Sequence, residues 1–255
     1  MKKKLQQLLR FVNKTIFKNE LPKKISIYFH DIDDQELISI TNIILFFKSL
    51  DYQFVTVEDF NNLIDTDKKL LSLTFDDGFA GWLKLLPVFN EHNVKATFFT
   101  NSIFLSDDNL TRYLRNININ SDKKLISKSG IKELVNDNHE IGAHTHTHYT
   151  LSNLSFDEFV IEDSKNRKQL KEFGEINNFA IPYGMRRYLT KEQKEYLEKQ
   201  YNSISFGEAG MQFEQKKNYI QRYPWLVEKS FFYNLENICT NTSFFNNLTL
   251  RSGLG

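Results

Sequence analysis

The chain has 255 residues, a formal net charge of +1 and mean hydropathy of -0.46. That length suits one α/β domain, the near-neutral charge gives no electrostatic case for nucleic acid, and no run of some 20 apolar residues spans a bilayer. Cys239 is the sole cysteine, so no intrachain disulfide is available.

Residues 1–20 open with three lysines, but Gln6, Gln7, Arg10, Asn13 and Lys14 interrupt any apolar core of a signal peptide. The segment reads instead as a basic amphipathic helix, with Leu5, Leu8, Leu9, Val12 and Ile16 on one face. Such a helix either packs on the domain or lies on a membrane surface through residues 1–18. Without a secretion signal, the expected location is the cytoplasm, with contact at the inner face of the membrane.

From residue 21 to 255 a single catalytic domain is expected. Short β-like runs, "ISIYF", "FVTV", "LLSLTF", "KATFFT", "HEIGAH", "NNFAIPY", "NSISF" and "NYIQRY", alternate with amphipathic stretches. That rhythm predicts an α/β fold with parallel strands and crossover helices, a distorted (β/α) barrel of about seven strands. Leu37, Ile40, Ile43, Ile44 and Phe47 keep a helical period, as do Trp82, Leu85, Leu86 and Phe89. Ser155 with Glu158 and Thr190 with Gln193 have capping-box spacing, while residues 116–129 read as a loop.

Polar clusters fall where these strands end, the place from which side chains of a barrel converge. They are His30-Asp31, Asp76-Asp77, the histidines from His144 to His148, and Pro182-Tyr183-Gly184. In "LTFDDGF" two adjacent carboxylates follow an apolar run, and they point to opposite faces unless the backbone turns, which Gly78 permits. In "GAHTHTHYTL" a straight strand would put His144, His146 and His148 on one face. A helical turn would pair only His144 with His148, and the threonines favour the strand. Clustered imidazoles with a carboxylate suit a divalent metal, Zn²⁺ first, with Co²⁺ or Ni²⁺ as alternatives. One aspartate can complete such a site while the other accepts a proton from water, whose pKa a metal lowers from about 16 towards about 7.

"LTFDDGF", "LPVFNEHNVKATFFT", "NHEIGAHTHTHYTLSNLS" and "FAIPYG", in this order and spacing, resemble the polysaccharide deacetylase family, carbohydrate esterase family four. The resemblance runs from about Ile25 to about Trp225. It implies a divalent metal and hydrolysis of an N-acetyl group on an amino sugar of a glycan or glycan precursor. It also implies that Asp76 is the general base, that Asp77, His144 and His148 bind the metal, and that the Tyr183 backbone N–H is the oxyanion donor. His146 takes the variable position between the two ligands, in a second layer or in solvent.

Two features depart from the family pattern. Ala180 stands where an arginine usually contacts the catalytic base, and Arg222 in "YIQRYPW" is the candidate replacement. No histidine follows His148, but "ISIYFHDI" resembles the N-terminal strand of the permuted biofilm exopolysaccharide deacetylase branch, which implies His30 as the general acid. The missing arginine keeps a second hypothesis open, a catalytically degenerate relative that binds glycan or metal. A two-histidine, one-carboxylate iron oxygenase shares the ligand types but gives Asp76 no role.

Overall fold

The computed structural model describes residues 21–105, 111–117, 123–207 and 215–239; the predicted amphipathic helix at the N-terminus lies outside them. Among the described residues no helix is long and apolar enough to cross a membrane.

The strands are β1 (Lys24–Phe29), β2 (Gln53–Phe54), β3 (Leu70–Asp76), β4 (Ala96–Thr100), β5 (Glu140–Ala143), β6 (Asn178–Ala180), β7 (Ser203–Phe206), β8 (Tyr219–Gln221) and β9 (Tyr223–Pro224). All are parallel, in the spatial order β8-β7-β6-β5-β4-β3-β1-β9, with β2 pairing the start of β3. Only Arg222 separates β8 from β9. One run of chain therefore pairs first with β7 and then with β1, which nearly closes a distorted (β/α) barrel in a single domain. Counted as one staggered strand, that run leaves seven positions around the barrel, plus the two-residue β2.

The helices include α1 (Asp34–Ser49), α2 (Val57–Asn62), α3 (Leu86–His92), α4 (Thr111–Asn116), α5 (Lys128–Asn136), α6 (Phe156–Leu170) and α7 (Lys191–Gln200). Ile40, Ile43, Ile44 and Phe47 of α1 are buried on Ile25, Ile27, Leu71 and Leu73 of the sheet. Capping boxes close the N-termini of α6 and α7 as their spacing predicts, and Asp33 with Glu36 forms a third at α1. The stretch read as a loop over 116–129 already contains the start of α5 at Lys128, where Ser127 caps the helix by accepting from the Gly130 N–H.

Strand alternation sorts side chains between two layers. On β3, Leu71, Leu73 and Phe75 pack outwards among the helices, while Thr74 and Asp76 reach Arg222 on the other face. The inner face therefore carries polar groups up to the rim where the strands end.

Candidate active site

The rim of the barrel answers the question that the paired aspartates raise. Asp76 is the last residue of β3 and keeps its inward direction; at Asp77 the backbone swings to φ 80°, and Gly78 follows at 72°. The carboxylates thereby part. Gly78 is required twice over, because a Cβ there would lie 2.5 Å from the Phe104 ring in a backbone region that side chains disfavour.

The histidines diverge in the same way. Strand β5 stops at Ala143, and Thr145 and His148 adopt φ of 61° and 55°, so the straight-strand reading fails. His144 and His148 face one another with ring centroids 4.9 Å apart. His146 turns away to pair its Nδ1 with Ser102 Oγ at 2.9 Å; it is buried, so of the two places expected for it solvent is excluded and the second layer remains. Left-handed backbone costs roughly 1–2 kcal/mol for each residue bearing a Cβ. Local bonds hold it: Glu162 accepts from both the Thr147 N–H and hydroxyl at 2.8 Å, and Asn166 accepts from the His144 N–H at 3.2 Å.

Asp77, His144 and His148 form one buried group, their candidate ligand atoms all within 4.8 Å of one another. Asp77 Oδ1 lies 3.4 Å from His144 Nε2 and 3.3 Å from His148 Nε2. His144 Nδ1 is 2.8 Å from the Ala180 carbonyl, which can only accept; Nδ1 therefore carries a proton and donates it, and Nε2 is the nitrogen that faces the carboxylate. Burial pushes the His148 imidazole down to about 4 despite the opposing Asp77 charge, so this ring is neutral at pH 7. Burial likewise lowers His144, but Asp76 and Asp77 outweigh it and raise the group. Asp77 is held far below the carboxylate range, because His148 and His144 more than offset its desolvation. Among the described residues Asp77 Oδ1 and His148 Nδ1 find no hydrogen-bond partner. A carboxylate oxygen and two imidazole nitrogens, buried and aimed at one point, fit a divalent cation of the zinc type.

Asp76 belongs to a different arrangement. Arg222 donates from Nη1 to Asp76 Oδ1 at 2.7 Å and from Nη2 to Oδ2 at 2.8 Å, and Nη1 also reaches Thr74 Oγ1 at 3.1 Å. The guanidinium lies 5.0 Å from the Tyr28 ring centroid and 5.2 Å from that of Phe99. Burial alone would raise the Asp76 carboxyl, but the Arg222 charge wins and keeps it ionised. Ala180 contributes its backbone carbonyl to His144, while the guanidinium beside Asp76 comes from the seam between β8 and β9.

His30 follows β1 with its side chain 55% exposed, Nε2 3.9 Å from Asp77 Oδ2, and its carbonyl accepts from Trp82 Nε1 at 2.7 Å. Tyr183 turns at φ 59°, its ring 4.7 Å from that of His148. These residues, with Tyr28 and Gly184, line a cavity of about 370 Å³. Asp76, Asp77, His144, His148, His30, Tyr183 and Arg222 thus share one cleft. Sequence reading missed Asn101, Tyr113, Glu162 and Asn166, which bind backbone around it; polar residues just past the "ATFFT" strand, and Glu162 and Asn166 four apart on α6, were the available signals.

Fold and site together define a parallel β/α barrel with a candidate cation site at its C-terminal rim. The polysaccharide deacetylase family model matches residues 64–201, just over half of the sequence, and the chain belongs to that family. Over 136 residues, 52% of the chain, it is 31% identical to a peptidoglycan-N-acetylglucosamine deacetylase of Bacillus cereus, of whose length the match covers 40%. Among solved structures it is similar to the Streptococcus pyogenes deacetylase PplD in complex with acetate, with TM-score 0.64, 16% identity, and coverage of 88% of this chain and 99% of that one. A de-N-acetylase from Aggregatibacter actinomycetemcomitans gives TM-score 0.65 at 16% identity, covering 84% and 99%. At such identities the likeness is one of fold. His30 and Arg222 lie outside the 64–201 match.

Proposed function

We propose that the protein is a metal-dependent carbohydrate N-deacetylase, which removes the acetyl group from an N-acetylated amino sugar in a glycan or glycan precursor. The observation that carries the reading is the division of labour between neighbouring aspartates: Asp77 faces two imidazoles, and Asp76 is held by a guanidinium. Asp77, His144 and His148 would hold the cation, Zn²⁺ in the first instance, which when bound supplies Lewis-acid polarisation of the acyl carbonyl and acidifies water.

Amide hydrolysis also requires a base, an oxyanion donor and a proton for the leaving nitrogen. Asp76 is the base. Arg222 occupies one lone pair on each carboxylate oxygen and keeps the group anionic, while a second lone pair on each remains to accept the proton of the attacking water. The Tyr183 N–H, in its left-handed turn, donates to the acyl oxygen as negative charge develops there. His30, half exposed at the mouth, gives its proton to the departing amine and regains one from solvent. Acetate and a free amino sugar result.

The test is acetate release from N-acetylglucosamine oligomers by chelator-treated protein before and after adding Zn²⁺, Co²⁺ or Ni²⁺. Release that returns with the cation supports the reading. One bound cation per chain without release would instead identify a binding protein that has lost the reaction.

A further inference from the structure

Beneath the rim, a buried amide and a buried phenol tie together the two backbone segments that carry the candidate cation ligands. Asn101 follows β4 and is fully buried; its Nδ2 donates to the carbonyls of His144 and of Thr145, the latter at 3.0 Å. Its Oδ1 lies 3.2 Å from the Tyr113 hydroxyl, whose single proton is shared between this oxygen and the Asp77 carbonyl. Tyr113, on α4, is fully buried as well. One Asn–Tyr pair therefore reaches Asp77 on one side and His144 on the other, bonding to the backbone and leaving every ligand atom untouched.

The three backbones that this pair and its neighbours restrain are unusual. Asp77, Thr145 and His148 all have positive φ, and none of them is a glycine. A ligand triangle built on such backbone relaxes unless something fixes its corners. Asn166 and Glu162 hold the histidine loop from the α6 side, but neither touches Asp77. Beside the β4 backbone, which accepts from the Asp77 N–H and pairs with β5, Asn101 and Tyr113 form a side-chain link between the two segments.

We infer that Asn101 and Tyr113 are positioning residues, which set the distance between Asp77 and the two histidines and thereby tune the affinity and geometry of the cation site. This rests on the metal-dependent reading above. Removing the hydroxyl leaves the Asp77 carbonyl without its buried donor and releases one corner of the triangle, and outer-layer partners of this kind typically change metal affinity by about 10–100-fold.

The test compares Tyr113→Phe and Asn101→Ala with Tyr52→Phe, which deletes the bond of another buried tyrosine to a carbonyl, the 2.6 Å contact with Pro22, far from the rim. Full-length protein is stripped of metal, and Co²⁺ and Zn²⁺ affinities are measured by chelator competition, with the visible spectrum of bound Co²⁺ and the melting temperature of each apo-protein. The expected result is a loss of roughly tenfold or more in affinity and an altered Co²⁺ spectrum in Tyr113→Phe and Asn101→Ala. Tyr52→Phe lowers the melting temperature but binds as the parent does. Parental affinity and spectrum in Tyr113→Phe, or equal losses in Tyr52→Phe, would overturn the inference and leave the metal-dependent reading intact. A parent protein that binds neither cation would overturn both.

Discussion

Replacing Arg222 with methionine removes the partner of a carboxylate that is itself only 4% exposed. The variant loses two charge-assisted bonds to Asp76, one bond to Thr74 and the stacking on Tyr28 and Phe99. Deleting one member of a buried ion pair costs about 3–5 kcal/mol, because the other charge stays buried and unmatched. At about 2–4 °C per kcal/mol for a domain of this size, the melting temperature falls by roughly 6–20 °C. The catalytic effect follows from the same balance. Burial pushes the Asp76 carboxyl up and Arg222 pulls it down, so without the guanidinium the group shifts upward and a smaller fraction of it is ionised at a given pH. Each unit by which it exceeds the working pH removes about tenfold of the ionised base. The expected outcome is a fall in kcat/KM towards the roughly 100-fold or more that a positioned general base contributes, partly recovered as pH rises, with cation affinity little changed. Lysine at 222 restores the charge without the two-pronged geometry and falls between. The assay is acetate release against pH beside thermal melts. An Arg222→Met protein with the parental pH profile would refute the assignment of Asp76 as the base held by Arg222.

Three further outcomes are expected. His139 is buried against Phe89 and Phe98, accepts from the Ala96 N–H, and is pushed down to about 4 by burial and then by Lys95. The unfolded chain takes up this proton near pH 6.5, so stability is lost as pH falls from about 6.5 to about 4, by about 3 kcal/mol from this group. His139→Gln should flatten that slope in urea melts, and an unchanged slope would contradict the burial argument. Alanine at Gly142 would put a Cβ 2.4 Å from the Phe99 ring, and Phe99 lies against Arg222. A loss of about 1–3 kcal/mol with reduced kcat is expected, and parental stability would show that the ring moves freely. If residues 1–18 lie on a membrane surface rather than pack on the domain, deleting them releases the protein from membrane fractions, and unchanged fractionation would exclude that placement.

The parts of this fold that were legible in the sequence are those whose signal is local. The alternation of β3, the helical period of α1 and the boxes at Ser155 and Thr190 each depend on neighbours within a turn or two. The histidine segment was ambiguous because two geometries share its spacing, and left-handed residues at Thr145 and His148 decide between them. Those conformations are imposed by Glu162, Asn166 and Asn101, whose partners lie about 15 to 44 residues away along the chain. Tyr113 falls in the same category: nothing around "TRYLRN" announces a bond to the carbonyl of Asp77. Arg222 was visible as a cation inside an otherwise uncharged strand, and its distance of 146 residues from Asp76 shows why only a closed barrel brings them together.

The most direct test of the account pairs two readings on one variant, Asp76→Asn. The substitution keeps the size of the side chain, lies outside the Asp77, His144 and His148 group, and removes the proton acceptor. The account predicts one bound Zn²⁺ or Co²⁺ per chain, as in the parent, with acetate release from N-acetylglucosamine oligomers reduced to background. Undiminished release by Asp76→Asn would contradict it, and so would loss of the cation together with the activity, since Asp76 would then belong to the site that Asp77 was assigned to complete.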